Sequence, residues 1–189
     1  MARPISSALL FLFAAFMLRE PAIAASAEIS IDQHALFFIR ALIYERNTGA
    51  LPQETITIAI IHQAAPPIAE KRVDTFTLAS AHGIRGKSVE IVEIPFSNIS
   101  DLRERIERQS VHAVYIDQSA NEALSSVLQV TRALRTPSFA SSIDMVIRGA
   151  SLGMHLVDGK PRLAINLRAA QLEKIVLPAR VLRISTIIQ

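Results

Sequence analysis

Five histidines are the first candidates for proton or metal chemistry: His34, His62, His82, His112 and His155. None stands four residues from another, the spacing that sets two imidazoles on one helical face, and none carries a carboxylate in a ligand-like pattern. No metal site is expected. His62 closes one β-branched run and Asp117 closes another. Ligands of α/β sheets collect at such strand ends, so the two could flank a pocket; the competing reading is a solvated strand end. The loop "HGIRGK", His82 to Lys87, offers Arg85 and Lys87 as anion contacts. Its order is wrong for a phosphate-cradling loop, because it leaves a helix and enters a strand. Serine is plentiful, yet no serine is assigned a nucleophile's role and an α/β-hydrolase is not expected. Catalytic residues and cofactors are therefore expected to be none.

The elements that must position these residues follow from apolar periodicity. "IDQHALFFIRALIY", from Ile31, has the broad stripe of an amphipathic helix, with Ser30 or Asp32 available as its cap. "TITIAIIH", Thr55 to His62, is nearly continuous in apolar character, as a strand buried on both faces must be. A helix over 70–84, a strand over 87–96, a helix capped by Asn98 or Ser100, a strand over 112–117 and a helix over 121–135 follow. This alternation predicts an α/β fold: a single domain with a mainly parallel sheet flanked by helices. Beyond Thr136 the rhythm shifts to short strand candidates broken by Gly149 and Gly153. "GMHLV" and "PRLAIN" around Asp158-Gly159 predict an antiparallel hairpin at one edge. Pro178 then suits the first turn of a last helix carrying Val181, Leu182, Ile184, Ile187 and Ile188. The ending is read as a clasp on the core before it is read as a site.

Composition narrows the function classes. Half of the 189 residues are hydrophobic and a fifth are charged, enough for one well-filled core. Aromatic residues make up only 5% and tryptophan is absent, which implies an aliphatic core and disfavours base-stacking platforms. The net charge is only +3, and cations alternate with acids in "DLRERIERQ", Asp101 to Gln109, as on a solvated helix face. Nucleic acid is not an expected partner.

The amino-terminal stretch reads as a leader. Arg3 is followed by an apolar run from Ala8 to Leu18 and by small residues at Ala22, Ala24, Ala25 and Ala27. A secretory signal peptide over 1–24 is expected, cleaved after Ala24 or Ala27, with the domain over 28–189. The apolar run is short for a membrane span, so the mature chain is not expected to cross one. Cysteine is absent altogether, so there is no disulfide, thiol nucleophile or thiolate metal site. An exported chain without disulfides fits the bacterial periplasm.

Residues 31–188 resemble the YfiR-like family of exported bacterial proteins. The likeness rests on "ALFFIRALIYERN", "ITIAIIH", "HAVYID" and above all the tail "GASLGMHLVDGKPRLAINLRAAQLEKIVLPARVLRIS". Gly153, Ile165, Asn166, Ala169, Ala170 and Val181-Leu182 match the family's hairpin, Ile-Asn pair, short helix and terminal helix. Pro178 opens that last helix. The family's Trp-Pro after the first helix is replaced by "YERNTGALP", and the cysteines of its regulatory member are absent. The resemblance implies a non-enzymatic periplasmic regulator. Its partner would be the periplasmic sensor region of a membrane signalling protein, a diguanylate cyclase to be repressed or a sensor kinase, which places it in cyclic-di-GMP and biofilm control. A homodimer fits as well. The alternative is a small-ligand-binding domain akin to one lobe of a solute-binding protein.

Overall fold

An eight-residue run that is apolar on both faces has a stable place only between two layers, and Thr55–His62 takes that place. In the computed structural model, which describes residues 29–63 and 65–189, it is strand β1, buried from Ile56 onward. The expected leader and its cleavage point lie outside the described residues. Before β1 come helix α1, Ile31–Tyr44, and the short α2, Arg46–Ala50. After it come α3 (Pro66–Ala79), β2 (Ser88–Pro95), α4 (Ile99–Arg108) and β3 (Val111–Ile116). A 3-10 turn, Gln118–Ala120, leads to α5 (Leu124–Leu134) and β4 (Ser138–Ala140). The chain finishes with α6 (Ile143–Ile147), β5 (Leu152–Val157), β6 (Lys160–Asn166), α7 (Leu167–Leu172), α8 (Ala179–Ile184) and β7 (Thr186–Ile188).

The seven strands lie in the order β2-β1-β3-β4-β5-β6-β7. All neighbouring pairs are parallel except β5 and β6, whose register runs from Leu152 opposite Ile165 to Val157 opposite Lys160. This is the expected single α/β domain with its antiparallel hairpin. Asp158 and Gly159 both take positive φ, 50° and 71°, the pair of values a two-residue type I′ connection requires.

Side-chain alternation splits the core into two halves, one on each face of the sheet. One half packs Ile61, Val114 and Ile116 under Leu102, Val127 and Met145, from α4, α5 and α6. The other packs Ile58, Ile60 and Ile165 under Leu42, Phe76 and Ala170, from α1, α3 and α7. The expected aliphatic core holds for the first half. In the second, Phe38, Phe76, Tyr115 and Phe139 form an aromatic cluster, with ring centroids 4.7 Å apart for Phe76 and Tyr115. Scarce aromatics are thus concentrated where their large area is removed from water.

Local chemistry sets most element ends. Ser30 caps α1 in a reciprocal capping box with Gln33, and the Asn98 side chain accepts from the Asp101 amide to cap α4. The second long helix starts earlier than the 70–84 expectation, because Pro66 and Pro67 occupy a first turn where a missing N–H costs nothing. Helix α6 was not foreseen, although Ser142 caps it and Asp144 sits in its first turn. The carboxy-terminal helix corrects another expectation: it ends at Ile184, and Ile187 and Ile188 belong to β7, beside Ile165 and Asn166. The free edge of β6 offers these β-branched residues backbone partners that a longer helix would leave unused.

Candidate functional site

Sheet order alone marks one place for a site. From β1 the chain crosses to β2 on one side and then to β3 on the other, so a crevice opens at the carboxyl ends of β1 and β3. Asp117 follows β3 directly and is 2% exposed. Its Oδ1 accepts from the Ser119 amide and hydroxyl, at 2.8 and 2.6 Å, which shapes the turn after the strand. Its Oδ2 faces Arg72 of α3, with Nε at 2.7 Å. The expected strand-end carboxylate is therefore one half of an ion pair that ties helix α3 to the sheet.

Beside this pair lies an open cleft of about 740 Å³. Its floor is His34, Arg72, Tyr115 and Asp117; its rim carries Lys71 and Gln118. Ser141 and Ser142 enter from the β4–α6 junction, and His155 from β5. His34 is 5% exposed, and burial holds its imidazole down, to about 4, against the opposing pull of the Asp117 charge. It is a neutral ring whose Nδ1 has no hydrogen-bond partner among the described residues. Burial, reinforced by Asp117, pushes the Tyr115 phenol far up, so it stays protonated. His155 is held by Thr186, with Nε2 and Oγ1 2.7 Å apart, so β7 helps to fix one cleft wall.

His62 lies at the end of β1, 4% exposed, with Nε2 3.8 Å from Glu93 Oε2 on β2. It is not among the described side chains that line the cleft. Arg85 and Lys87 are at the opposite end of the sheet, where β2 begins. Arg85 Nε donates to Ile43 O at 2.8 Å, in the last turn of α1, where unpaired carbonyls favour a cation. Lys87 Nζ donates to Leu51 O and Gln53 O, both at 2.8 Å. Arg85 thus holds the end of α1, and Lys87 holds the segment that leads into β1. The structure brings Asp117 to the cleft and leaves His62, Arg85 and Lys87 elsewhere.

The tail residues do structural work. Asn166 caps α7 through Ala169 N and donates to Val146 O, each at 3.0 Å. A Cβ on Gly153 would run into Val146 and lie 3.1 Å from Ala140 O, so the close approach of β5 to β4 needs glycine. Ile165 is fully buried, Pro178 sets the start of α8, and Leu182 packs on the aromatic half of the core. Glu173, just after α7, was not singled out from sequence. It is 1% exposed and accepts from Thr131 Oγ1 at 2.6 Å, Ser138 N at 2.8 Å, Ser138 Oγ at 2.9 Å and the Ser151 hydroxyl. Burial raises its carboxyl above the usual range, and these hydrogen bonds pull it part of the way back.

One sequence signal was missed. Gly149-Ala150-Ser151-Leu152-Gly153 matches the Gly-x-Ser-x-Gly pattern of a nucleophile elbow. The structure gives it another role. Ser151 precedes a strand instead of following one, is fully buried, and spends its hydroxyl on Glu173. No group of three histidine, aspartate or glutamate side chains suited to a metal occurs among the described residues. The arrangement can bind and orient a ligand.

Three solved structures share the fold. A conserved domain protein from Vibrio cholerae O1 biovar El Tor superimposes with a TM-score of 0.62 at 17% identity, over 86% of this chain and 62% of its own. The ABC domain in complex with L-Trp from Streptococcus pneumonia gives 0.58 at 16%, over 84% and 60%. A substrate binding protein with adhesive properties from Clostridium difficile, in its ligand-free, open structure, gives 0.58 at 11%, over 85% and 60%. At such identities the likeness is one of fold, and the chain spans 60–62% of the length of these proteins. A comparison with curated proteins finds no match. The family described as YfiR/HmsC-like matches residues 46–186, from α2 to the start of β7, and on that match the chain belongs to the YfiR/HmsC-like family.

Proposed function

We propose that this protein is an exported, non-enzymatic regulator that binds the periplasmic sensor region of a membrane signalling protein, and that repression of a diguanylate cyclase is its output. The observation that carries the reading is the YfiR/HmsC-like match over residues 46–186. The leader-like 1–24 segment accounts for delivery to the periplasm. No helix among the described residues is long and apolar enough to cross a membrane, so contact with a membrane protein would be made from outside the bilayer.

A regulator of this kind needs exposed apolar surface with a polar rim. Such a surface lies between α1, β6 and α8, where Phe37, Tyr44, Leu163 and Ile184 line a groove of about 370 Å³ and Arg40 and Arg162 edge it. Ile184 is 73% exposed and Tyr44 40%, so the groove presents a contiguous apolar patch and not a single exposed side chain. A second copy of the chain is the other occupant that such a groove would accept.

The test is genetic and biochemical. Deleting the gene should raise cellular cyclic-di-GMP, and complementation with Ile184→Asp should fail while the variant remains folded and exported. Cross-linking of the exported protein in cells should trap a membrane cyclase or kinase. An unchanged cyclic-di-GMP level together with no membrane partner would sink the reading. Sedimentation of the purified protein distinguishes the second copy from a foreign partner.

A further inference from the structure

We propose that the cleft at the carboxyl ends of β3, β4 and β5 is a binding site for a small carboxylate with an apolar body. This goes beyond the partner-binding reading and holds whether or not that reading does. Three features of the cleft point the same way.

The first is charge. Lys71 and Arg72 bring two cations to the cleft, and Asp117 is its one carboxylate among the described lining residues. Both Asp117 oxygens are already engaged, by Ser119 and by Arg72, so nothing acidic is left for a cationic ligand. The surplus is positive and invites an anion.

The second is unused hydrogen-bonding capacity. Asp117 takes Arg72 at Nε, and Nη1 of the same guanidinium has no partner among the described residues. His34 Nδ1 is likewise without one. Buried polar atoms are nearly always paired; Arg72 Nη1 can only donate and so calls for an acceptor, and neutral His34 can donate beside it in the tautomer that carries its proton on Nδ1. A carboxylate meets a guanidinium in plane and supplies that acceptor with a charge.

The third is the wall. Ile31, Ile68, Ile143 and Leu156 line the same cleft, and Ile68 is 52% exposed. Inorganic phosphate or sulfate would leave this surface wet. An organic acid would cover it, and about 740 Å³ is ample room for one.

The experiment is a nitrogen–proton NMR titration of the purified protein with four probes: 4-methylpentanoate, its amide, the matching primary amine, and acetate. The carboxylate should shift the amides of Tyr115, Gln118, Ser141 and Ile143. The amide and the amine should bind about tenfold more weakly, as expected for loss of a charge-assisted bond. Acetate should be weaker too, because it has no body to cover the wall. The Arg72→Gln/Asp117→Asn double variant keeps a hydrogen-bonded pair without either charge and should abolish the preference of carboxylate over amide. Lys71→Gln, at an exposed position, should weaken the carboxylate several-fold and carries the test if the double variant does not fold. No shift with any probe, an equal response to carboxylate, amide and amine, or shifts confined to the groove around Phe37 and Tyr44 would each overturn the proposal.

Discussion

The carboxylate of Glu173 accepts the hydroxyl proton of Thr131 at 2.6 Å, across 42 residues of chain. Thr131 lies on α5, and the same carboxylate also takes the backbone N–H of Ser138 at the start of β4. One side chain near the carboxy terminus therefore closes the middle of the sheet. Glu45 does the same for the start of the chain. It is 2% exposed, accepts from Thr48 N at 2.6 Å and Thr48 Oγ1 at 2.9 Å, and reaches Val176 N at 3.0 Å.

Removing the Glu173 side chain strands the Ser138 N–H in the interior and frees the carboxy-terminal segment. Glu173→Ala should lower stability by about 3 kcal/mol, read as a drop in the urea midpoint with unchanged slope. Glu173→Gln, which keeps an oxygen for Ser138 N and can reverse its hydroxyl partners, should lose less than half as much.

Glu173 also sets a pH dependence of known sign. Its folded-state pKa lies above the usual value of 4.5, so the folded chain holds this proton more tightly than the unfolded one. The resulting stabilisation is fully present below 4.5 and is lost as pH rises through the raised pKa. Urea titrations at stepped pH should show a downward limb above 4.5 that Glu173→Gln removes.

His34 works in the other direction. Burial lowers its pKa from 6.5 to about 4, so the unfolded chain takes up the proton first as pH falls. Its contribution is complete above 6.5 and disappears as pH falls towards 4, amounting to about 3 kcal/mol. His34→Phe, placed among Tyr115 and Phe139, should flatten that acid limb in the same urea series.

The Arg72–Asp117 pair is predicted to be strongly coupled. Arg72→Met leaves a carboxylate that is 2% exposed without its counter-charge, and should cost about 3 kcal/mol. Adding Asp117→Ala should recover a good part of that loss. Additive losses in the double-mutant cycle would show that the pair is not an energetic unit.

At Gly153 a side chain meets Val146. Gly153→Ala should destabilise by about 2 kcal/mol through overpacking, and Val146→Ala in the same chain should relieve much of it. Thermal melts of the three variants check both statements.

The parallel half and the β5–β6 hairpin were legible because their signals are local. The continuous apolar run of β1, the Ser30 and Asn98 caps and the Asp158-Gly159 turn each carry their own instruction. The end of the chain was not legible in the same way. Ile187 and Ile188 continue the helical stripe of Val181 and Ile184, and only the free edge of β6, a tertiary fact, turns them into a strand. The cleft was half visible. Asp117 announces itself as a strand end, whereas His34 and Arg72 sit inside helices where nothing in the spacing marks them. Glu173 was hidden for a similar reason: in "AAQLEKI" an acid reads as a wet helix face, and its burial depends on hydroxyls supplied by three other elements.

Glu173 also makes the middle of the sheet depend on the carboxy-terminal segment. Until it arrives, Thr131, Ser138 and Ser151 hold hydroxyls and an amide that an oily interior would leave without acceptors. A polypeptide stopped short of that position lacks both this acceptor and strand β7. Such fragments should be cleared by proteases instead of persisting as half-built competitors.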